Sequence, residues 1–380
     1  MNILLVHNYY QQAGGEDQVF AAEADLLEAK GHSVHRYTVH NDAIQQKNPL
    51  AVATTTVWNR EIYQELRSQI RQHQIQLAHF HNTFPLISPA AYYAAKAENI
   101  PVIQTCHNYR LLCPNALFYR AGKVCEDCLG RAPWAGVVHR CYRGSLSASA
   151  VTAATITLHR AIGTPQQVDR YIALTEFSRQ KFIQGGIPAA KLVVKPNFVH
   201  PDPGYQDGSG GYAIFVGRLS QEKGIDLLLT AWKQLGDRIP LKIVGDGPLA
   251  TEVAAQQSPG VEWLGRRSLE EVYGLLGKAA FLVFPSKWYE GFPRIIVEAL
   301  AVGTPIVGAD IGSIHDLILP GQTGLRFTPG DAVSLVKQVQ DLLEQPDRLQ
   351  QMRRAARAEF EAHYTAERNY QQLMEIYDQV

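Results

Sequence analysis

The feature that most constrains the fold is an alternation of short apolar runs with helical segments along the 380-residue chain. The first run, NILLVH (2–7), is followed by EDQVFAAEADLLEAKG, whose apolar residues recur at helical spacing and which ends at Gly31. Such alternation is typical of parallel sheets with helices on both faces. We therefore predict an α/β fold built from doubly wound sheets.

The alternation occurs in two blocks. The predicted strands of the first block are 2–7, 32–39, 76–81, 101–106, 170–175 and 191–196. The Pro- and Gly-rich segment PNFVHPDPGYQDGSGG (196–211) contains little that could form a core. After it the pattern restarts with YAIFVG, KGIDLLLTAWKQL, LKIVG, VEWLG, AAFLVFP, TPIVG and GLRFT. We predict an N-terminal domain over 1–198, a linker over 199–211 and a second domain over 212–364.

Charge and hydropathy exclude several classes of protein. The 36 basic and 36 acidic side chains cancel, so no overall field would recruit nucleic acid. No apolar run approaches the ~18–20 residues of a membrane span, and the N-terminus does not read as a secretory signal. We expect a cytoplasmic protein, for which peripheral contact with the inner face of the membrane stays open. Its five cysteines should not form structural disulfides there, and its oligomeric state is not indicated.

A first candidate site lies in FVGRLSQEKGIDLLL. Gly217 stands at a strand end, and Arg218 and Lys223 precede a helix. Free N–H groups and the helix dipole would add to the two cations, which favours a pyrophosphate site. Solvated cations in an ordinary strand–loop–helix connection are the alternative. The pattern G-x-G-x-x-A of a dinucleotide site is also matched in LKIVGDGPLA, but such short patterns recur by chance, and a tight strand-to-helix turn explains it equally well.

The segment EGFPRIIVE carries two carboxylates, Glu290 and Glu298, with seven residues between them. Pro293 would take the first helical position, so Glu290 precedes the helix and Glu298 leans back toward the same end. A carboxylate among apolar residues is costly unless something binds it. Two interpretations are open: an acid and nucleophile pair of the glycosidase type, or two acceptors for the hydroxyl groups of a ligand.

Glycines and histidines mark the first block. Gly15 directly precedes the first helix, where a glycine lets backbone approach a ligand, although a plain loop is the simpler interpretation. His79, His81 and His107 stand at the predicted carboxyl ends of strands, the edge where open α/β sheets bind ligands. His79 and His81 share one face of a strand. They could form a metal pair, but histidines satisfied at a strand end are the commoner arrangement.

Four cysteines fall within one 29-residue segment, Cys113, Cys125, Cys128 and Cys141, spaced C-x11-C-x2-C-x12-C. This spacing is typical of a structural zinc site with four thiolate ligands. The segment has little periodicity, so a zinc ion would help it to hold a shape. The alternative is four buried or free thiols, and the two interpretations stand about even.

Several motifs together resemble the retaining glycosyltransferases of family 4: E-x7-E after FPSKWY, VGRLSQEKGIDLLL, VGDGPL, TEFSRQKF, KPNFV and AVGTPIVGADIGSIHDLI. The resemblance covers nearly the whole chain and is densest from 171 to 325. It implies the GT-B fold, two Rossmann-like domains facing across a cleft, with a final helix over 365–380 that packs back onto the first domain. It implies an enzyme of the EC 2.4 type, active in polysaccharide biosynthesis or related pathways. The enzyme would move a sugar from a nucleotide-diphosphate sugar to a glycan, lipid-linked or small-molecule acceptor.

The resemblance also assigns roles in the second domain. Arg218 and Lys223 would hold the donor diphosphate and neutralise its charge as the nucleotide leaves. Glu298 would accept the ribose hydroxyls, and Glu290 would bind hydroxyls of the transferred sugar. The implied mechanism is front-face displacement with retention, without a catalytic cofactor or divalent ion; the chain contains no D-x-D motif.

The remaining implied contacts are backbone groups and one histidine. His107 would contact the donor sugar near the reacting carbon. Gly15 and Gly217 would place backbone against the phosphates, and the amides of Gly291 and Phe292 would lie beside the sugar. The chain departs from many relatives in having proline at 293, where they have glycine, and only some relatives have the cysteine segment.

Two other functions share these features. A nucleotide-sugar epimerase of the same fold would convert the donor without an acceptor. A non-catalytic protein that binds sugar nucleotides is the third class, but the intact set Arg218, Lys223, Glu290 and Glu298 argues against it. A dehydrogenase is disfavoured, because the first strand lacks the glycine fingerprint of a dinucleotide site.

Overall fold

The chain folds into two compact α/β units in a computed structural model that describes residues 1–12, 14–256 and 260–380. The first unit comprises Met1–Phe118, Cys125–Asn197 and Asn369–Val380, and the second comprises Tyr119–Val124 and Phe198–Arg368. Each unit contains one parallel six-stranded sheet. The predicted α/β class is confirmed.

The sheet of the first unit has the strand order β2-β1-β3-β4-β7-β8. Its strands are β1 (Asn2–Tyr9), β2 (Ser33–His40), β3 (Leu77–Asn82), β4 (Val102–Cys106), β7 (Arg170–Ala173) and β8 (Leu192–Val194). The inner strands are buried continuously, as parallel strands covered on both faces are. All six strands predicted for this block are confirmed within a few residues, and the order reverses direction between β1 and β3.

The helices of the first unit cover this sheet. They are α1 (Gly15–Ala29), α2 (Pro49–Val57), α3 (Arg60–Gln72), α4 (Ala90–Ala97), α5 (Trp134–Val138), α6 (Leu146–Ala161), α7 (Thr164–Gln167), α8 (Glu176–Gln184) and most of α16 (Ala366–Tyr377). Phe20 and Leu27 of α1 pack with Ile3 of β1 in one core, which Leu373 and Ile376 of α16 complete.

The second unit repeats the architecture, with the strand order β11-β10-β9-β12-β13-β14. Its strands are β9 (Ala213–Val216), β10 (Leu241–Val244), β11 (Val261–Gly265), β12 (Phe281–Phe284), β13 (Ile306–Ala309) and β14 (Gly324–Phe327), and a short hairpin pairs β5 (Tyr119–Arg120) with β6 (Lys123–Val124). The order reverses direction between β9 and β12. In open sheets, ligands bind at the carboxyl ends of the strands at such a switch point.

The helices of the second unit are α9 (Ile225–Leu235), α10 (Ala250–Ala255), α11 (Leu269–Lys278), α12 (Arg294–Ala301), α13 (Ser313–Leu317), α14 (Ala332–Leu343) and α15 (Pro346–His363). The predicted start of α12 is wrong by one residue: Pro293 is the N-cap, because its ψ of 91° is extended. In the predicted linker, Gln206 donates a backbone hydrogen bond to Val302 at 3.0 Å. No helix in the described ranges is both long and apolar enough to cross a membrane.

Candidate active site

The loop between β9 and α9 packs closely against its neighbours at the switch point. It contains a 3₁₀ turn over Gln221–Lys223 and then Gly224, whose φ is +74°. A Cβ at Gly224 would lie 2.0 Å from the carbonyl oxygen of Pro285, so the loop after β12 leaves room only for glycine there. Lys223 is thereby held beside the segment that carries Glu290.

Glu290 is the centre of a hydrogen-bonded cluster. Its Oε1 accepts from Lys223 Nζ at 2.7 Å, from Ser286 Oγ at 2.6 Å and from Trp288 Nε1 at 2.9 Å. The Lys223 ammonium also lies 5.6 Å from the centroid of the Trp288 ring, within the range of a cation–π contact. The structure thus brings together Lys223 and Glu290, which the sequence places in separate motifs.

Glu298 is also buried, but it has a different partner. Its Oε1 lies 3.2 Å from Arg294 Nη2, one helical turn earlier on α12. Burial raises the pKa of Glu298, and the Arg294 guanidinium offsets part of that rise. Arg294 is not among the residues predicted from the sequence, although RIIVE shows the R-x3-E spacing of a helical ion pair.

The other predicted residues of the second unit lie in two loops, Gly217 and Arg218 after β9 and Gly291 and Phe292 before α12. Arg218 is exposed, and none of the described residues pairs with its guanidinium. Gly217 follows β9 directly. The Gly291 carbonyl accepts a hydrogen bond from Ser313 Oγ at 3.2 Å, and Phe292 packs against a hydrophobic core of the second unit.

The G-x-G-x-x-A pattern after β10 has a packing explanation. Gly245 has φ +134°, and a Cβ there would lie 1.9 Å from the carbonyl oxygen of Gly217. A Cβ at Gly247 would lie 2.5 Å from the carbonyl oxygen of Leu219. Both glycines therefore allow two loops to approach each other, which agrees with the interpretation as a tight turn.

In the first unit, His107 follows β4 and belongs to a chain of buried polar groups. Its Nε2 lies 2.9 Å from His81 Nδ1, and His81 Nε2 lies 3.4 Å from Glu23 Oε1. Burial, together with the neighbouring His81, holds the pKa of His107 well below its usual value. His107 is therefore neutral at physiological pH, with one ring nitrogen facing His81.

The chain of polar groups ends in a buried ion pair. Glu23 Oε2 lies 3.0 Å from Lys195 Nζ, and both side chains are 1% exposed. Burial alone would raise the pKa of Glu23, but Lys195 and the nearby His81 hold it well below its usual value. This pair is not predicted from the sequence, because its members are 172 positions apart in the chain.

His79 belongs to the same network, and its partners bear on whether His79 and His81 bind a metal ion. Its Nδ1 lies 2.9 Å from the Tyr377 hydroxyl and its Nε2 lies 2.7 Å from Thr105 Oγ1. Glu23, His79 and His81 each offer a ligand atom within 4.8 Å of the others. However, Lys195 already neutralises Glu23, so a divalent ion would add charge that no described neighbour offsets. The arrangement fits satisfied strand-end histidines.

Gly15 is the first residue of α1 and is exposed. Asp17 accepts from the backbone N–H of Gly14 at 2.8 Å and lies 2.7 Å from His7 Nε2, which holds the start of the helix in place. Burial, and then the neighbouring Asp17, raise the pKa of Glu16 to about 8. At neutral pH the turn after Gly15 thus carries one carboxylate charge fewer than its sequence suggests.

The four clustered cysteines form no disulfide among the described residues and lie in one neighbourhood. Burial raises the pKa of Cys128 to about 11, and the nearby thiols of Cys113, Cys141 and Cys125 contribute to that rise. Sulfur atoms around one zinc ion would lie roughly 3.8 Å apart, given a Zn–S distance of about 2.3 Å. No three of these sulfurs lie within 4.8 Å of one another in the described residues. As placed, the thiols are neighbours without a closed tetrathiolate geometry.

Comparison with known proteins identifies related sequences. The family model Glycosyltransferase Family 4 matches residues 13–203, which is half of the chain, and the model for glycosyl transferases group 1 matches residues 206–359. An uncharacterized glycosyltransferase of Methanocaldococcus jannaschii, MJ1178, is 29% identical over 157 residues, 40% of this chain but only 44% of that protein. An uncharacterized 42.6 kDa protein in the cps region of Klebsiella pneumoniae is 25% identical over 362 residues, 84% of this chain and 88% of that protein.

The fold also has solved counterparts. The crystal structure of Anabaena Alr3699/HepE in complex with UDP superimposes with a TM-score of 0.71 at 18% identity, and the match covers 100% of both chains. At this identity the likeness concerns the fold, which is GT-B. The match to the family model over half of the sequence goes further, and it confirms the resemblance seen in the motifs. The chain belongs to Glycosyltransferase Family 4.

Proposed function

We propose that this protein is a glycosyltransferase that moves a sugar from a nucleotide-diphosphate sugar to a glycan, lipid-linked or small-molecule acceptor. Transfer would retain the anomeric configuration and would need no divalent ion. The observation that carries the proposal is the Lys223 ammonium, held 2.7 Å from Glu290 in the loop before α9. The UDP bound by the Anabaena protein of the same fold supports a nucleotide donor.

The donor diphosphate would lie against Arg218 and Lys223. Arg218 is exposed, and the side chain of Lys223 is 20% exposed, so both cations can be reached from solvent. Lys223 can turn toward a phosphate without isolating Glu290, because Ser286 and Trp288 still donate to that carboxylate. The two cations would stabilise the diphosphate as the glycosidic bond breaks, the role that a divalent ion plays in metal-dependent transferases.

The carboxylates would bind hydroxyl groups. Glu298 would accept from the two ribose hydroxyls, which would supply strong hydrogen bonds to a buried carboxylate that now has Arg294 as its charged partner. Glu290 would bind hydroxyls of the transferred sugar, with the amides of Gly291 and Phe292 beside it. In this proposal neither carboxylate acts as a glycosidase nucleophile.

Two residues of the first unit would also act on the donor. We assign His107 to the sugar and the backbone of Gly15 to the phosphates. The neutral state of His107 suits a hydrogen bond with a sugar hydroxyl. The raised pKa of Glu16 suits Gly15, because an uncharged carboxyl beside it does not repel phosphate.

A second proposal concerns the cysteine segment. We propose that Cys113, Cys125, Cys128 and Cys141 bind one structural zinc ion. Their shared neighbourhood around Cys128 supports this, although the sulfur atoms would have to approach one another. Elemental analysis of protein purified without chelator should find up to one zinc per chain, which the double variant Cys125→Ser/Cys128→Ser should lose. The zinc proposal would be wrong if the purified protein contained no metal and the double variant resisted protease as well as the parent does. The four cysteines would then be ordinary thiols.

The main proposal is tested in two steps. A thermal-shift panel of nucleotide sugars should identify the donor, because a ligand that binds only the folded state raises the melting temperature. Transfer to candidate acceptors is then followed with that donor, with and without EDTA, and the anomer of the product is read by NMR. Conversion of the donor in the absence of any acceptor would indicate an epimerase, and inversion would refute the mechanism.

A further inference from the structure

The first unit contains a cavity of about 230 Å³. Its walls include Phe84, Leu112, Ile156 of α6 and Ile187. An engineered apolar cavity of roughly 150 Å³ holds a benzene molecule. The cavity can therefore accept a hydrocarbon group larger than benzene.

The buried polar side chains in its walls are satisfied by the protein itself. Thr152 and Thr155 donate to backbone carbonyls one turn earlier on α6, at 2.9 and 2.8 Å. Both ring nitrogens of His159 have partners at 2.8 Å, and the Tyr92 hydroxyl donates to Gln104 at 2.7 Å. The hydroxyl groups of a free sugar would lose their hydration in this cavity and gain little in return. The lining therefore favours an apolar occupant.

Arg110 brings a positive charge to the walls. Its guanidinium lies over the rings of Phe84 and Tyr142, at 4.5 and 4.8 Å from their centroids, and one Nη donates to the carbonyl of Pro114. Arg110 forms no ion pair with a carboxylate of the described residues, so its positive charge at the wall suits an anionic oxygen attached to the apolar group.

The cavity adjoins the pocket of His107. A smaller pocket of about 40 Å³ is lined by His107 and Asn108, and it shares Phe84, Tyr92 and Arg110 with the larger cavity. A ligand with its hydrocarbon in the large cavity and its anionic group at Arg110 would therefore extend toward His107.

We propose that the cavity binds the hydrocarbon part of the acceptor, and that the acceptor is a lipid phosphate whose phosphate group is held by Arg110. This inference rests on the proposed function and selects one of its acceptor classes. A free glycan is disfavoured by the satisfied walls, and a neutral lipid would leave the Arg110 charge without an anionic partner.

The probe is octyl phosphate, below the concentration at which it forms micelles, added to the full-length protein. Its binding should be seen by calorimetry with a negative heat-capacity change, the signature of apolar burial. Ile156→Trp, which fills the cavity, should weaken binding at least tenfold. The matched control is Leu158→Trp on the exposed side of the same helix, where the parent side chain is 44% exposed, and it should bind as the parent does.

Further variants separate the two parts of the ligand. Arg110→Gln should weaken octyl phosphate several-fold but leave octanol unchanged. Thr155→Phe serves as a second filling variant if Ile156→Trp does not fold. Equal binding of octyl phosphate to the parent and the filled variants would overturn the proposal, and so would tighter binding of a free oligosaccharide at the same place. The nucleotide sugar should bind Ile156→Trp as tightly as it binds the parent. If the parent itself binds no nucleotide sugar, that result counts against the proposed function and not against the cavity.

Discussion

The two units each contain a lysine–glutamate pair at a sheet, and the two pairs differ in what surrounds them. In the first unit Lys195 and Glu23 are 3.0 Å apart and each side chain is 1% exposed. In the second, Lys223 and Glu290 are 2.7 Å apart, but the lysine is 20% exposed and the glutamate has two further donors. The first pair is therefore closed, which means that solvent reaches neither side chain. The second pair is open, because solvent reaches its lysine.

This difference separates stability from ligand binding. A buried charge that loses its partner is strongly destabilising, so a ligand could not take Lys195 away from Glu23 without disrupting the core. Glu290 keeps neutral donors when Lys223 turns away, so that pair can exchange partners at small cost. We therefore expect substitutions in the first pair to change folding and substitutions in the second to change turnover.

The largest effect is expected for Lys195→Met. The substitution leaves the Glu23 carboxylate buried and unpaired, which should lower the free energy of unfolding by about 3–5 kcal/mol in urea denaturation. The double variant Glu23→Gln/Lys195→Met should recover part of the loss, because it removes both charges. A loss below about 1 kcal/mol for Lys195→Met would mean that the pair is not closed as described.

The next effect is expected for Lys223→Ala and Arg218→Ala, each of which should raise the barrier to transfer by about 2–4 kcal/mol, which slows it roughly 30- to 1,000-fold. Each variant lacks a cation that we propose lies against the developing diphosphate. The matched control is Lys233→Ala, an exposed lysine near the end of α9. Unchanged turnover in both variants would mean that the donor diphosphate does not bind at this loop. A destabilisation by Lys223→Ala as large as that of Lys195→Met would erase the contrast between the pairs.

A smaller effect is expected for Glu298→Gln, which should weaken nucleotide binding by about 1–2 kcal/mol. An amide oxygen accepts weaker hydrogen bonds from ribose than a carboxylate does. Titration calorimetry measures the affinity, with Glu270→Gln on the exposed start of α11 as the control. If the affinity does not change, Glu298 lies outside the nucleotide site.

The smallest effect concerns pH. The folded state holds the proton of Glu16 up to about pH 8, whereas the unfolded chain releases it near pH 4.5. The folded state therefore binds more protons between these values, and the free energy of unfolding falls as pH rises through this window. Glu16→Gln should flatten that slope and gain about 1 kcal/mol at pH 8, since the side chain is partly exposed and screened. Parallel slopes for the variant and the parent would show that Glu16 ionises normally.

The strands were predictable because their signal is local. A strand covered on both faces reads as a short apolar run, and all the predicted strands are observed. The start of α12 was predicted one residue early, because the fixed φ of Pro293 suits a helix while its ψ is set by the loop. The predicted domain limits, the cytoplasmic location and the roles of the site residues stay predictions.

The site was predictable only in part. Lys223 and Glu298 could be predicted from neighbouring residues alone, because one is a cation before a helix and the other is a carboxylate on a helix face. Arg294 could have been predicted in the same way, because it lies four residues before Glu298 on the same helix. The pairing of Lys223 with Glu290 was not, because it depends on two loops that meet at the end of the sheet.

The sequence by itself determined the fold class, the order of strands and helices along the chain, and membership of a family, because each rests on patterns among nearby residues. The tertiary structure decided which charges are closed and which are open. Glu23 meets Lys195 across 172 positions, and the cavity beside Arg110 is assembled from several separate segments of the first unit. Such contacts depend on how the elements pack in three dimensions, and packing brings together side chains whose spacing in the chain carries no sign that they will meet.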